Sequence, residues 1–123
     1  MGRLVISFLG NLMSTHSAPH RTFAIDHTTD PDGTPTLVCR GRFTLETSGL
    51  FRSEVKSLSP QHKLVQADLS GVDYVDSAGL GSLLGTYISA QSDGCHLRLI
   101  NVHPRVKDLL NIAHLNKVFE GTS

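Results

Sequence analysis

The segment that most constrains the fold is a nearly continuous apolar run at residues 62–70, closely followed by a strongly periodic stretch at residues 77–92. Because few polar residues interrupt the run, it predicts a central strand covered on both faces. In the second stretch, apolar residues recur three and four positions apart, which is the spacing of one face of an α-helix. A buried strand that leads into a helix is the repeating unit of parallel α/β sheets.

Two alternating segments precede this unit. Residues 22–27 and 36–42 alternate apolar and polar positions, and the turn formers of residues 30–35 separate them. This pattern predicts a β-hairpin. A helical stripe of apolar residues then follows, which we expect to begin at Thr44 as a cap and to run to about Leu58.

After the central unit, alternation predicts a further strand at residues 95–102. Pro104 suits the first turn of another helix, and residues 117–120 can form an optional last strand. The element order is therefore β-β-α-β-α-β-α, with an optional final β. It predicts an α/β fold with a mixed, mainly parallel sheet of about four to five strands, faced by helices.

The N-terminal segment is predicted to stand apart from this fold. We expect residues 1–21 to form an arm that is flexible or lies outside the fold, and residues 22–121 to form the domain. The apolar run at residues 4–13 is shorter than a membrane span of about 20 residues. We favour Met13 as an alternative start. A weak signal peptide, or a short element that packs on the domain or on a partner, is the alternative.

Charge and composition narrow the classes of partner. The chain has 11 Lys+Arg against 11 Asp+Glu, so its formal net charge is zero. Binding to nucleic acid or to a membrane surface depends on surplus Lys and Arg, so neither partner is expected. Cys39 and Cys95 lie too far apart for a metal knuckle or a disulfide framework, and we expect two small buried hydrophobes and no metal site. With these classes excluded, we expect a neutral domain that acts through another protein.

The helix at residues 77–92 has an unusual small-residue face. A solvent-facing helix usually carries Lys and Glu, and each of three glycines in this helix costs up to roughly 1 kcal/mol relative to Ala. We predict that the small face lies open and suits close approach by another surface; a surface helix without a partner is the alternative. The core stripe is predicted to centre near Leu80, Leu84 and Tyr87, and the opposite face consists of Ala78, Ser82, Gly85 and Ser89.

Polar residues collect where the central strand meets this helix. Asp73, Asp76 and Ser77 lie at the carboxyl end of the strand, where functional groups of open α/β sheets gather. A structural role is available, since either Ser77 or Asp76 can cap the helix. A serine nucleophile needs a base and commonly the pattern Gly-x-Ser-x-Gly, which is absent, as are the glycine-rich phosphate loops. No catalytic residue, no cofactor and no enzymatic activity are therefore expected.

Residues 68–84 resemble the signature of STAS domains, and in particular that of bacterial anti-sigma factor antagonists; they read DLSGVDYVDSAGLGSLL. The resemblance extends from about residue 36 to residue 120, and its most specific part is Asp-Ser-x-Gly-Leu-Gly at the strand-to-helix junction. It implies a small β/α fold with a mixed sheet faced by helices, in a cytoplasmic bacterial protein that regulates transcription.

The resemblance also implies a mechanism of partner switching. The residue at Ser77 is phosphorylated by a partner that is both anti-sigma factor and serine kinase. The unphosphorylated domain binds this partner and frees a sigma factor, phosphorylation prevents binding, and a serine phosphatase restores it. The resemblance leaves undecided whether the domain forms a homodimer. The alternative is a STAS subunit of an ABC-type lipid transport complex, which binds the ATPase of that complex.

The predicted partner-binding surface joins the small face to the strand-to-helix junction. Two departures from the family pattern concern it: Ala78 stands where many members have a second serine, and Thr44 stands where many have an acidic residue. Ser77 is therefore the one acceptor expected at this position, and any contact through that acidic group is in doubt. The predicted surface comprises Thr44, Asp73, Asp76, Ser77, Ala78, Gly79, Gly81, Ser82, Gly85 and Ser89.

Overall fold

One mixed sheet organises the part of the chain that the computed structural model describes, which is Leu4–Val5 and residues 23–119. Its five strands lie side by side in their sequence order. They are β1 Leu4–Val5, β2 Phe23–Thr29, β3 Pro35–Phe43, β4 Leu64–Val75 and β5 His96–Ile100. The β1–β2 and β2–β3 pairs are antiparallel, and the β3–β4 and β4–β5 pairs are parallel. The predicted α/β fold with a mixed sheet is confirmed.

Two helices connect the parallel strands in the described residues, and a third follows β5. They are α1 Ser48–Leu58, α2 Ser77–Ser92 and α3 Pro104–Ile112, and a short 3₁₀ turn, Ser59–Gln61, follows α1. The predicted bounds of α2 and the predicted start of α3 are confirmed. No helix in this part of the chain has both the length and the apolar character needed to cross a membrane.

The predicted hairpin joins β2 to β3. Its turn is closed by the Gly33 amide, which donates to the Asp30 carbonyl oxygen at 2.9 Å. Gly33 has a φ of +92°, a conformation that side chains disfavour. The Asp32 carboxylate accepts the Thr34 amide at 3.1 Å and fixes the turn further. This turn chemistry was readable from the sequence because each residue type has its own local role.

The core lies between one face of the sheet and the helices. In β4, alternate residues are buried, whereas their neighbours on the other face are only half-buried. The prediction that this strand is covered on both faces was therefore wrong; polar residues such as Gln66 and Asp68 occupy the second face. The buried cluster joins the strands to the helices and includes Leu37, Cys39, Phe51, Val65, Leu83, Leu97, Leu99, Val106 and Leu110. Both cysteines are buried and unpaired, as predicted.

Strand β4 continues beyond its predicted end at Ser70. Ser70-Gly71 has the composition of a turn, but Gly71 lies where β3 shifts register. A side-chain carbon at Gly71 would lie 2.8 Å from Arg40 Cγ, so glycine allows the two strands to approach closely. The extension pairs Arg42 of β3 with Tyr74 of β4 and thereby forms the edge that carries the candidate site.

The two ends of the chain differ from prediction in different ways. Residues 117–119 form turns, so the optional last strand is absent from the described residues, and Glu120 lies outside them. Phe119 is instead buried against the Tyr87 ring, with the ring centroids 5.1 Å apart. Of the predicted arm, only Leu4–Val5 is described, and it pairs with β2. The other arm residues, including Met13, lie outside the described residues.

Helix α2 buries a face that lies between the two predicted ones. Its buried residues are Gly79, Leu83, Thr86 and Ala90. On one side of this buried face, the predicted core stripe through Leu80, Leu84 and Tyr87 is only half-buried. On its other side, the predicted small face is turned toward α1. The physical reason is that small residues let α2 lie close to β3 and α1, while Leu80 and Tyr87 at its margin pack against the core.

Candidate functional site

The candidate site lies where β3 and β4 end together. Phe43 pairs with Val75 in the parallel register, and the Asp76 amide donates to the Phe43 carbonyl oxygen at 3.2 Å. This bond holds the first turn of α2 at the carboxyl edge of the sheet. Strand ends and a helix N-terminus therefore meet at one edge, as the sequence predicts for an α/β fold.

Asp76, and not Ser77, caps α2. The Asp76 Oδ1 atom accepts the Gly79 amide at 2.6 Å, and Ser77 occupies the first helical position. Ser77 is exposed, and no side-chain hydrogen bond holds its hydroxyl within residues 23–119. The sequence left the choice of cap open between these neighbours, and the geometry assigns it to the carboxylate.

The three glycines of α2 have three different surroundings. At Gly79, a side-chain carbon would lie 2.2 Å from the Phe43 carbonyl oxygen, so this glycine lets α2 begin directly against β3. At Gly85, it would lie 2.9 Å from Arg52 Nη2 of α1. At Gly81, nothing lies within 4 Å. Packing within the domain therefore accounts for Gly79 and Gly85, and Gly81 alone faces open space.

The predicted bare face of α2 is partly covered by α1. The Lys56 ammonium donates to Ser89 Oγ at 3.1 Å and to the Asp93 carboxylate at 3.1 Å. Arg52 of α1 also lies over Gly85, and together these contacts hold the two helices against each other. The expectation that the whole face is open was wrong, because sequence periodicity does not reveal which neighbouring helix lies beside a face.

A groove of about 370 Å³ opens beside the start of α2. The Arg42 guanidinium lies over the Tyr74 ring, 4.0 Å from its centroid. Exposed apolar surface adjoins it, since Leu45 is 73% exposed and Tyr74 is 41% exposed. The residues that line the groove are Arg42, Thr44, Leu45, Glu46, Thr47, Tyr74 and Asp76.

Thr44 lines this groove but does not cap α1. The helix begins at Ser48, after Thr47. The Thr44 amide donates to Thr47 Oγ1 at 2.9 Å, and the Ser48 amide donates to the Thr44 carbonyl oxygen at 2.8 Å. The predicted start of α1 was too early because these bonds form a separate turn ahead of the helix.

The predicted site residues therefore divide by position. Asp73, Ser77, Ala78 and Gly81 are exposed; Thr44, Asp76, Ser82, Gly85 and Ser89 are half-buried; Gly79 is buried. The sequence reasoning missed Arg42, Leu45 and Tyr74. They could have been found from the prediction that two parallel strands end side by side, because this arrangement brings the last residues of β3 next to those of β4.

Known proteins resemble this chain in sequence and fold. The family model described as "Mlab, STAS domain" matches residues 27–120. A STAS-domain containing protein of Pseudomonas aeruginosa is 27% identical over 85 residues, covering 69% of this chain and 84% of that protein. The anti-sigma-B factor antagonist of Bacillus subtilis is 28% identical over 80 residues, covering 65% of this chain and 73% of that protein.

A solved structure gives the same answer for the fold. An anti-sigma factor antagonist from Mycobacterium paratuberculosis superposes with a TM-score of 0.69 at 21% sequence identity, over 85% of this chain and 87% of that one. The matched family model spans most of the chain and includes β3, β4, the groove and all of α2. The chain therefore belongs to the STAS domain family, as its resemblance in residues 68–84 implied.

Proposed function

We propose that this STAS domain is an anti-sigma factor antagonist whose binding is switched off by phosphorylation of Ser77. In this proposal, the unphosphorylated domain binds an anti-sigma factor that is also a serine kinase and so releases a sigma factor. The observation that carries the proposal is that Asp76 and Ser77 have separate roles at the start of α2. Asp76 makes the cap, and the Ser77 hydroxyl is exposed. A modified Ser77 therefore leaves the cap intact.

The domain is a substrate in this scheme and has no catalytic role of its own. The Ser77 oxygen attacks the γ-phosphorus of ATP in the kinase site, and a new oxygen–phosphorus bond forms. The bond between the γ-phosphorus and the bridging oxygen breaks, ADP leaves, and the hydroxyl proton passes to a base of the kinase. A serine phosphatase reverses the modification with water. We place these steps in the cytoplasm, where ATP and sigma factors are found.

Electrostatics favours a switch at the interface over a change of fold. A phosphoserine adds about −1.5 to −2 charges. The amino end of α2 tolerates an anion there, because the helix dipole presents its positive end. Asp73 and Asp76 already place negative charge beside Ser77. A partner that packs on this edge would meet both like charge and added bulk.

The proposed contact surface centres on the exposed start of α2. Ser77, Ala78 and Gly81 are exposed there, and Gly81 has open space where a side chain would stand. Exposed Leu45 and Tyr74 extend the surface with apolar area. Tyrosine and arginine are enriched among the residues that dominate binding at interfaces. Gly79, Gly85 and Ser89 would contribute indirectly, by setting how closely α2 approaches its neighbours.

A subunit of an ABC-type lipid transport complex is the second candidate. The matched family model describes a STAS domain without naming a partner, so STAS membership alone does not separate the two functions. In the second candidate, the same surface binds the ATPase of the complex. Copurification with a transport ATPase, without phosphate on Ser77, would favour it.

The direct test is incubation of the purified chain with candidate anti-sigma serine kinases and ATP, followed by mass spectrometry of the peptide that contains Ser77. We expect one phosphate on Ser77, and none at this position in Ser77→Ala. Circular dichroism of Ser77→Ala controls for loss of helix structure. Absence of phosphate on Ser77 with every kinase would contradict the proposal.

A further inference from the structure

We propose that Arg42 is a built-in counter-ion for phosphorylated Ser77. Its guanidinium would donate hydrogen bonds to the phosphate oxygens and hold the modified residue against the groove. This inference rests on the proposed phosphorylation of Ser77, and it concerns how the modified state is held. It assigns a role to a residue outside the signature segment at residues 68–84.

The Arg42 side chain is held against the Tyr74 ring but has no carboxylate partner in the described structure. Its guanidinium lies 4.0 Å from the centroid of the Tyr74 ring. By contrast, Arg40 pairs with Asp26 at 2.7 Å. Within residues 23–119, no carboxylate approaches Arg42 to ion-pair distance. Stacking on the ring limits the conformations of the guanidinium and leaves its N–H groups available.

Arg42 lies on the same edge as Ser77. The Asp76 amide binds the Phe43 carbonyl oxygen at 3.2 Å, so the residue after Arg42 is tied to the residue before Ser77. Arg42 and Asp76 also line the same groove. A long arginine side chain on one wall and a phosphate projecting from the exposed Ser77 beside the other can therefore meet at the rim.

The charges around the groove give the phosphate one cation to bind. Of the described residues that line the groove, Glu46 and Asp76 are acidic and Arg42 alone is basic. The Asp76 carboxylate is already committed to the Gly79 amide. A phosphate would add to this negative charge, and pairing with Arg42 would reduce the repulsion. The planar guanidinium suits two parallel hydrogen bonds to phosphate oxygens.

The test is a ³¹P NMR titration of the full chain with phosphoserine installed at position 77 during synthesis. The second pKa of phosphoserine is near 6. An ion pair with Arg42 favours the dianion, so we expect this pKa to lie about one unit lower than in Arg42→Gln. Arg52→Gln, which removes an exposed arginine of α1, should keep the value of the unsubstituted phosphorylated chain. Circular dichroism checks that each variant is folded.

Two outcomes would overturn the inference. One is the same phosphate pKa in Arg42→Gln and in the unsubstituted phosphorylated chain. The other is an equal rise in Arg42→Gln and Arg52→Gln, since that would indicate a general effect of net charge. The titration needs no partner protein, so its failure is distinct from failure of the proposed function. The latter would show as unchanged kinase binding by the phosphorylated chain.

Discussion

The Asp76 carboxylate accepts the Gly79 amide at 2.6 Å, three residues further along the chain. This contact assigns different roles to two adjacent polar residues. Asp76 holds the first turn of α2, and Ser77 presents its hydroxyl to solvent. A serine that capped the helix would lose its structural role on phosphorylation. Here the capping bond is independent of the proposed acceptor, so modification can change the surface and leave the fold.

The capping assignment predicts unequal effects of two neighbouring substitutions. Asp76→Ala should lower the free energy of unfolding by about 1 kcal/mol, because the Gly79 amide loses its acceptor. Ser77→Ala should change it by less than about 0.5 kcal/mol, as expected for an exposed side chain. Urea denaturation measures both, and Asp76→Ser should recover most of the loss. Equal losses for the two alanine variants would contradict the assignment.

The glycines of α2 provide a matched pair. Gly79→Ala would place a carbon 2.2 Å from the Phe43 carbonyl oxygen, so α2 must move away from β3. We expect destabilisation of about 3 kcal/mol or more, comparable to overpacking in a core.

Gly81→Ala has nothing within 4 Å of the added carbon. It should stabilise the domain by up to about 1 kcal/mol, because alanine favours the helix. Thermal and urea unfolding of both variants test the pair. Similar effects of the two substitutions would show that Gly79 is not in close contact with β3.

Asp68 gives the fold a predicted pH dependence. Burial raises the pKa of this carboxyl group, but hydrogen bonds from the Ser70 amide and the Asn101 side chain outweigh that effect, and the pKa lies below its usual value. The native state then binds the proton more weakly than the unfolded chain does. Asp68 therefore stabilises the fold above the unfolded pKa of about 4, and this stabilisation is lost as the pH falls through the folded value.

Unfolding experiments across acidic pH can isolate this contribution. The difference in unfolding free energy between the natural chain and Asp68→Asn should be largest near neutral pH and shrink below about pH 4. In Asn101→Ala, an NMR titration should find the Asp68 pKa closer to its ordinary value. A difference between the natural chain and Asp68→Asn that does not vary with pH would rule out this contribution.

The sequence predicted most elements because their signals are local. The turn around Gly33, the length of α2 and the start of α3 at Pro104 follow from turn chemistry, periodicity and the fixed φ of proline. The junction between β4 and α2 was also predictable, as was the gathering of polar residues there. These features depend on residues that are close together in the sequence.

What the sequence could not predict depends on contacts between distant segments. The strand was predicted to end at Ser70, but Gly71 allows β4 to continue beside a register shift between β3 and β4. Gly85 looked like part of an open face, but Arg52 of α1 lies over it. The groove depends on Arg42 meeting Tyr74 across the parallel register. Each relationship joins positions that no local pattern connects.

Phosphate on Ser77 is proposed to block partner binding without unfolding the domain. Calorimetric titration of the kinase partner with the unmodified chain, and with the chain that carries phosphoserine at position 77, measures this effect. Ser92→Asp, at the other exposed end of α2, controls for added charge on the same helix.

We expect the unmodified chain and Ser92→Asp to bind, and the phosphorylated chain to bind at least about tenfold more weakly, a loss of about 1.4 kcal/mol or more. Circular dichroism should be the same for all three. An equal Kd for the phosphorylated and unmodified chains, with the fold intact, would rule out a binding switch at Ser77.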